Sequence, residues 1–131
     1  MSLVLVDTSV WIDLFSRKPA QTVALEQMSL LATCPPVIQE ILQGISDERA
    51  VKTIKDSLLA LPCISASVGL DTYLHAADLY RRARKRGYTV RSATDCLIGA
   101  IALEADVAIW HRDRDFAALA AVSDLRVTDR L

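Results

Sequence analysis

The chain has 131 residues, 52% of them hydrophobic, and a formal net charge of -1, enough apolar material for one sizeable core but little for a second. The near-neutral balance supplies no global attraction to nucleic acid, no apolar run approaches the roughly 18 residues of a membrane span, and three cysteines without a C-x-x-C pair argue against disulfides or a zinc knuckle. These features, with no secretory leader in the sequence, give the expectation of one domain over 1–131 in the cytoplasm, with Cys34, Cys63 and Cys96 as small buried hydrophobes.

Leu3-Val4-Leu5-Val6 opens the chain as a wholly apolar run of the kind found in the middle of a parallel sheet. Asp7-Thr8-Ser9 follows, so Asp7 falls at the carboxyl end of a strand, the edge where open α/β sheets bind ligands. The same residues are good caps for the short helical stretch from Val10 to Phe15, and both accounts stand. Pro19 reads as the first residue of a second helix, with Val23, Leu25, Met28 and Leu31 on its apolar side and Met28 as core filler. Leu30 to Cys34 allows a short strand. Pro35-Pro36 then forces a boundary, and a helix runs from Val37 to Gln43 before Gly44. Glu40 lies between two apolar pairs, a position usually on the solvent side of an amphipathic helix.

Asp47 caps a further helix with Val51, Ile54, Leu58 and Leu61 at helical spacing, ended by Pro62. Cys63-Ile64-Ser65 allows another strand. The longest helix runs from Ser67 to Arg86, with Val68, Leu70, Tyr73, Ala76, Ala77, Tyr80 and Ala83 on or near one face and Gly87 as its stop. His75, on this helix, has no partner that the sequence names, and reads as a surface or interface residue. Arg81, Arg82, Arg84, Lys85 and Arg86, with Arg91 soon after, form a local basic block. Complementing the helix dipole and contacting nucleic-acid phosphates are competing readings of it.

Ser92 to Glu104 is the centre of the pattern. After Asp95 the next eight residues carry no charge, so the period is apolar on every side, as in a helix buried all round. Free N–H groups and the macrodipole favour the ionised form of a carboxylate in that first turn, yet Ser92-x-x-Asp95 also fits a capping box. Val107-Ala108-Ile109-Trp110 is the next buried strand, followed by His111-Arg112-Asp113-Arg114-Asp115-Phe116. Asp113 thus also follows a strand, and also fits a cap, here of the short helix from Phe116 to Ala121. Leu125-Arg126-Val127 reads as a last strand. Alternating strands and helices call for a parallel sheet with helices on both faces.

In such a sheet the strand ends that carry Asp7 and Asp113, the start of the buried helix at Asp95 and the early helical Glu40 all lie on one side. Two carboxylates about 5 Å apart repel by roughly 3 kcal/mol at an effective dielectric near 20, which calls for a counter-charge. A hard divalent cation such as Mg²⁺ provides it through oxygen ligands, and can activate water and stabilise charge on a phosphodiester.

Four segments together, Leu3 to Asp13, Pro36 to Gly44, Ser92 to Ile98 and His111 to Phe116, resemble in order and spacing the successive motifs of PIN-domain ribonucleases, specifically VapC-type toxins. The resemblance covers essentially the whole chain. It implies a three-layer α/β/α fold with a central, mostly parallel sheet, RNA cleavage dependent on Mg²⁺ or Mn²⁺, a homodimer, and inhibition by a VapB-type antitoxin. Position by position, Asp7, Glu40, Asp95 and Asp113 match the acidic quartet, with Asp7, Asp95 and Asp113 as metal ligands and Glu40 helping to position the attacking water. Thr8 or Ser9 matches the hydroxyl beside the first acid, where many relatives carry Asn at the position of Ser9. Asp115 is an accessory acid or an alternative fourth. The basic block becomes a candidate RNA contact. The helices flanking Pro35-Pro36 and the one from Asp47 to Leu61 become the expected antitoxin surface, with an antitoxin Arg entering the acidic mouth.

Two rivals belong to other classes. A phosphoacceptor signalling domain needs one acceptor Asp late in a middle strand and a Lys at another strand end, and neither is visible. An inactive PIN-like binding module is disfavoured by the presence of all four acids. A PIN-like RNA-processing nuclease outside any toxin–antitoxin pair is the remaining alternative.

Overall fold

The apolar runs near the start of the chain and after the buried helix pair with each other. In the computed structural model, which describes residues 2–131, Val4, Leu5 and Val6 lie opposite Ala108, Ile109 and Trp110 in parallel register. These are strands β1 (Val4–Val6) and β3 (Ala108–Trp110). β2 (Leu31–Ala32) adds outside β1, and β4 (Val127–Thr128) outside β3, giving the order β2-β1-β3-β4 with every pairing parallel. Leu5, Val6 and Ile109 have no exposed surface, which is why these strands are apolar without alternation.

Among the described residues, six α-helices flank the sheet: α1 (Thr8–Leu14), α2 (Pro35–Gln43), α3 (Glu48–Leu59), α4 (Leu70–Lys85), α5 (Ala93–Ala105) and α6 (Arg114–Ala121). This is the three-layer α/β/α arrangement expected from the sequence. None of the described helices is long and apolar enough to cross a membrane. α5 is the central one, with Asp95, Cys96 and every residue from Ile98 to Ala102 buried. Gly99 lets α6 come close, since a Cβ there would meet Leu119 Cδ1 at 3.1 Å. α4 ends as read: Gly87 has φ +85°, and the amides of Gly87 and Tyr88 bond back to the carbonyls of Arg84 and Ala83, a Schellman closure.

The structure corrects several readings. No α-helix starts at Pro19; only a 3₁₀ segment, Leu25–Leu30, forms. The amides of Ala20 and Gln21, which would open that helix, are both taken by the Asp13 carboxylate at 2.9 and 3.2 Å. Met28 is consequently half exposed rather than core filler. The buried face of α4 is Thr72, Ala76, Leu79 and Ala83, so Leu70, Tyr73 and Tyr80 stand in the open. Leu79, which reaches Gly99 of α5, anchors that face in place of the tyrosines. Cys63 is exposed, unlike Cys34 and Cys96, because its segment adds only an isolated parallel bridge, to Thr33, at the edge of the sheet. His75 does have a partner, the Glu104 carboxylate at 2.9 Å, which also accepts the Thr72 hydroxyl at 2.7 Å.

Candidate active site

The chain passes from β1 outward to β2, then returns to the other side of β1 for β3 and β4. The strand order therefore reverses between β1 and β3, and the crevice at their carboxyl ends is where such sheets place ligands. Asp7 leaves β1 there, and Asp113 lies three residues beyond Trp110, at the end of β3. α5 runs back towards β3, so its first turn, with Asp95, opens at the same edge.

Capping and site placement turn out not to be alternatives. Asp7 caps α1, accepting the Ser9 amide at 3.2 Å and its hydroxyl at 2.6 Å. Asp113 caps α6 by accepting the Asp115 amide at 2.9 Å. Asp95 is different. Ser92 caps α5 by accepting the Asp95 amide at 3.2 Å, but Asp95 does not complete the box, and its Oδ2 is buried without a hydrogen-bond partner. Asp115 is only 2% exposed; Oδ2 accepts the Arg91 amide at 3.1 Å, while Oδ1 is the second buried, unpartnered carboxylate oxygen. Asp95, Asp113 and Asp115 each bring one oxygen within 4.8 Å of the others.

Burial, reinforced by the charges of Asp7 and Asp113, pushes the Asp95 carboxyl up to about 8, and Asp115 adds to the rise. Burial also raises Asp7, against the pull of the Ser9 hydroxyl and amide. Carboxylates without counter-charge or donors are what a divalent cation would relieve, and an all-oxygen donor set suits Mg²⁺ or Mn²⁺ rather than a softer ion. The residues fit such an ion. Glu40 joins through α2, half-buried, with its Oε1 accepting the Thr8 hydroxyl at 2.8 Å. Thr8 therefore serves Glu40, and Ser9 serves Asp7.

The family model for the PIN domain matches residues 4–122. The chain belongs to the PIN-domain family. It is 37% identical over 131 residues to ribonuclease VapC11 of Mycobacterium tuberculosis H37Rv, covering 95% of this chain and 96% of that one. The VapC ribonuclease Mb1587 of Mycobacterium bovis matches to the same extent. Among solved structures, VapBC2 from Rickettsia felis, bound to a fragment of its promoter DNA, superposes with a TM-score of 0.74 at 12% identity, over 96% of this chain and 97% of that one. VapBC-5 of M. tuberculosis, from a family of toxin–antitoxin systems, gives 0.69 at 19% identity over the full length of both chains. Both confirm the PIN fold.

The basic block divides in space. Arg81, Arg84 and Arg91 line a cleft of about 740 Å³ between α4 and the start of α5, together with Tyr73, Tyr80 and Leu97. The Arg84 guanidinium sits 5.7 Å from the Tyr80 ring centroid. Arg82 instead pairs with Asp78 at 2.9 Å, one turn away, and Lys85 and Arg86 are exposed at the helix end. Two residues of this PIN domain escaped the sequence reading altogether. Arg112 Nη1 lies 3.0 Å from Asp13 Oδ1, and the Arg112 amide donates to Ser9 Oγ at 3.3 Å. The amides of Ala20 and Gln21 and this guanidinium hold the Asp13 carboxyl below its usual range, with Ala20 the largest influence. Asp13 thus ties α1, the turn after it and the loop that carries Asp113.

Proposed function

We propose that this chain, working as a single PIN domain in the cytoplasm, is an endoribonuclease and the toxin of a VapBC-type toxin–antitoxin pair. The observation that carries the reading is the crowding of Asp95, Asp113 and Asp115 beside Asp7, with two buried carboxylate oxygens left unpartnered. The ribonucleases it matches at 37% identity and the toxin–antitoxin complexes that share its fold support the same conclusion. Asp7, Asp95 and Asp113 would hold Mg²⁺ or Mn²⁺, with Asp115 completing the oxygen set. When bound, the ion supplies a water made nucleophilic near neutral pH and positive charge for the phosphodiester under attack.

Glu40 is oriented by Thr8 to hold and align the attacking water. Ser9 fixes the rotamer of Asp7. Of the basic residues, Arg81, Arg84 and Arg91 are assigned to RNA, and Arg82, Lys85 and Arg86 to solvating the end of α4. A VapB-type antitoxin would lie along α2 and α3, where Leu59 is 60% exposed, and send an Arg into the acidic mouth, where ion pairing would replace the metal. The toxin is expected to act as a homodimer.

The test is incubation of the purified protein with generic single-stranded RNA in Mg²⁺, in Mn²⁺ and in chelator. Cleavage with either cation and none in chelator is the expected result, and the rate ratio between the two decides the preferred ion. Cleavage that survives chelation, or no cleavage with either cation, would overturn the assignment. Within the same assay Thr8→Val, which frees Glu40 but leaves its charge, is expected to lower kcat by about 10-fold while shifting stability by no more than about 1 kcal/mol. Unchanged kcat would show that Glu40 needs no orientation.

A further inference from the structure

Beside the acids lies a second cavity, of about 550 Å³, lined by Ser9, Arg91, Arg112, Asp113 and Arg114. Three arginines therefore line the same space as one of the proposed metal ligands, and among the described residues none of them pairs with an acid of the cluster and the one ion pair that any of the three makes is Arg112 with Asp13. All three residues are exposed. Their positions are nonetheless fixed through the backbone. The Arg91 amide is bonded to Asp115, the Arg112 amide to Ser9, and Arg114 opens α6 directly after its cap Asp113. Arg112 is steadied by Asp13 and keeps other N–H donors of its fork free.

Three exposed arginines lining one cavity beside carboxylates with which they do not pair suit an anion that approaches from solvent. Resting on the nuclease reading above, we propose that Arg91, Arg112 and Arg114 form a phosphate-binding rim that grips the RNA phosphodiester adjoining the one being cut. Arg91 also lines the cleft that holds Tyr73, Tyr80, Arg81 and Arg84, so this residue borders both cavities. A strand leaving the acidic mouth over the rim enters a surface of arginine and tyrosine, the combination that tracks single-stranded nucleic acid through phosphate contacts and base stacking.

The test is the double variant Arg91→Ala, Arg114→Ala. Arg91 gives Asp115 only its backbone N–H and Arg114 is the first residue of a helix, so alanine disturbs neither contact. KM for single-stranded RNA in Mg²⁺ is expected to rise at least several-fold with kcat little changed, and the salt dependence of binding to flatten by about one unit of slope per arginine removed. The melting shift produced by Mg²⁺ alone should persist. Arg82→Ala, Lys85→Ala serves as control and should move neither KM nor slope. If KM and slope are unchanged while the metal-free variant melts lower, the arginines only neutralise the acids and the proposal fails. It also fails if the control variant loses as much as the rim variant. Fluorescence anisotropy with a labelled RNA in chelator gives the same slope without cleavage, so a parent that binds through the rim yet cuts nothing would sink the nuclease reading alone.

Discussion

Asp95→Asn is expected to lower RNA cleavage by at least about 100-fold while leaving the metal-free protein melting at the same or a higher temperature. As an ordinary first-turn acid, Asp95 would contribute about 0.3 to 1 kcal/mol through the helix dipole, and its loss would lower the melting temperature without touching activity. The structure keeps it in the first turn but buries it in a cluster of acids, with an unpartnered oxygen and a carboxyl pushed up to about 8 by burial and by neighbouring acids. Between the ordinary value of 3.8 and about 8, the folded parent binds a proton that the unfolded chain has released. This group's contribution to metal-free stability therefore falls as pH rises through that window, and the variant should lose this part of the slope. A divalent cation competes with the same proton, so its stabilising effect on the parent should grow with pH. The measurement is a set of melting curves against pH, with and without Mg²⁺, beside the cleavage assay. A variant that melts lower without metal and still cuts RNA would return Asp95 to the role of a helix-end charge.

Asp115→Asn is expected to be as damaging as Asp113→Asn, although the sequence leaves Asp115 as an accessory acid or an alternative fourth. Asp113 is the more accessible of the two and spends one oxygen on capping α6; Asn is a good cap, so the variant there should keep its fold and lose mainly charge. Asp115 is 2% exposed, accepts the Arg91 amide and retains a buried oxygen with no partner. A buried acid left in that condition costs about 1 to 3 kcal/mol unless something else satisfies it, and the cation is the available candidate. Side-by-side rates and Mg²⁺-induced melting shifts decide the matter. If Asp115→Asn retains the parent's rate and shift while Asp113→Asn loses both, Asp115 has only a structural part.

The gathering of the acids was legible because it follows from topology. Apolar runs without alternation mark parallel strands, and parallel strands put Asp7 and Asp113 on one edge. α5 was legible for the same reason, since no solvent-facing helix would carry so long an uncharged stretch. What escaped depends on contacts between distant parts of the chain. The turn after α1 looks like a helix start until the Asp13 carboxylate takes its amides, and nothing local in the sequence announces that Asp13 will also meet Arg112. The face of α4 was read correctly at Ala76 and Ala83 but misplaced at Leu70, Tyr73 and Tyr80, whose apolar surface drew the stripe to one side of Leu79, the residue that is buried. The burial of Asp115 was hidden too, because in Asp113-Arg114-Asp115 the two acids are equivalent until the start of α6 turns one inward and leaves the other at the rim.

That Asp7 and Asp113 are helix caps as well as proposed metal ligands constrains how this lineage can decay. A descendant freed from the need to cut RNA would still need α1 and α6 to begin where they do, and replacing a capping Asp with Ala costs typically about 1 kcal/mol. Drift at positions 7 and 113 should therefore run to Asn, Ser or Thr, which keep the cap and discard the charge. Position 95, which caps nothing, has no such restriction. Once metal is no longer required, selection for stability alone would favour an apolar residue there, so hydrophobic substitution at 95 beside retained polar residues at 7 and 113 would mark a silenced copy.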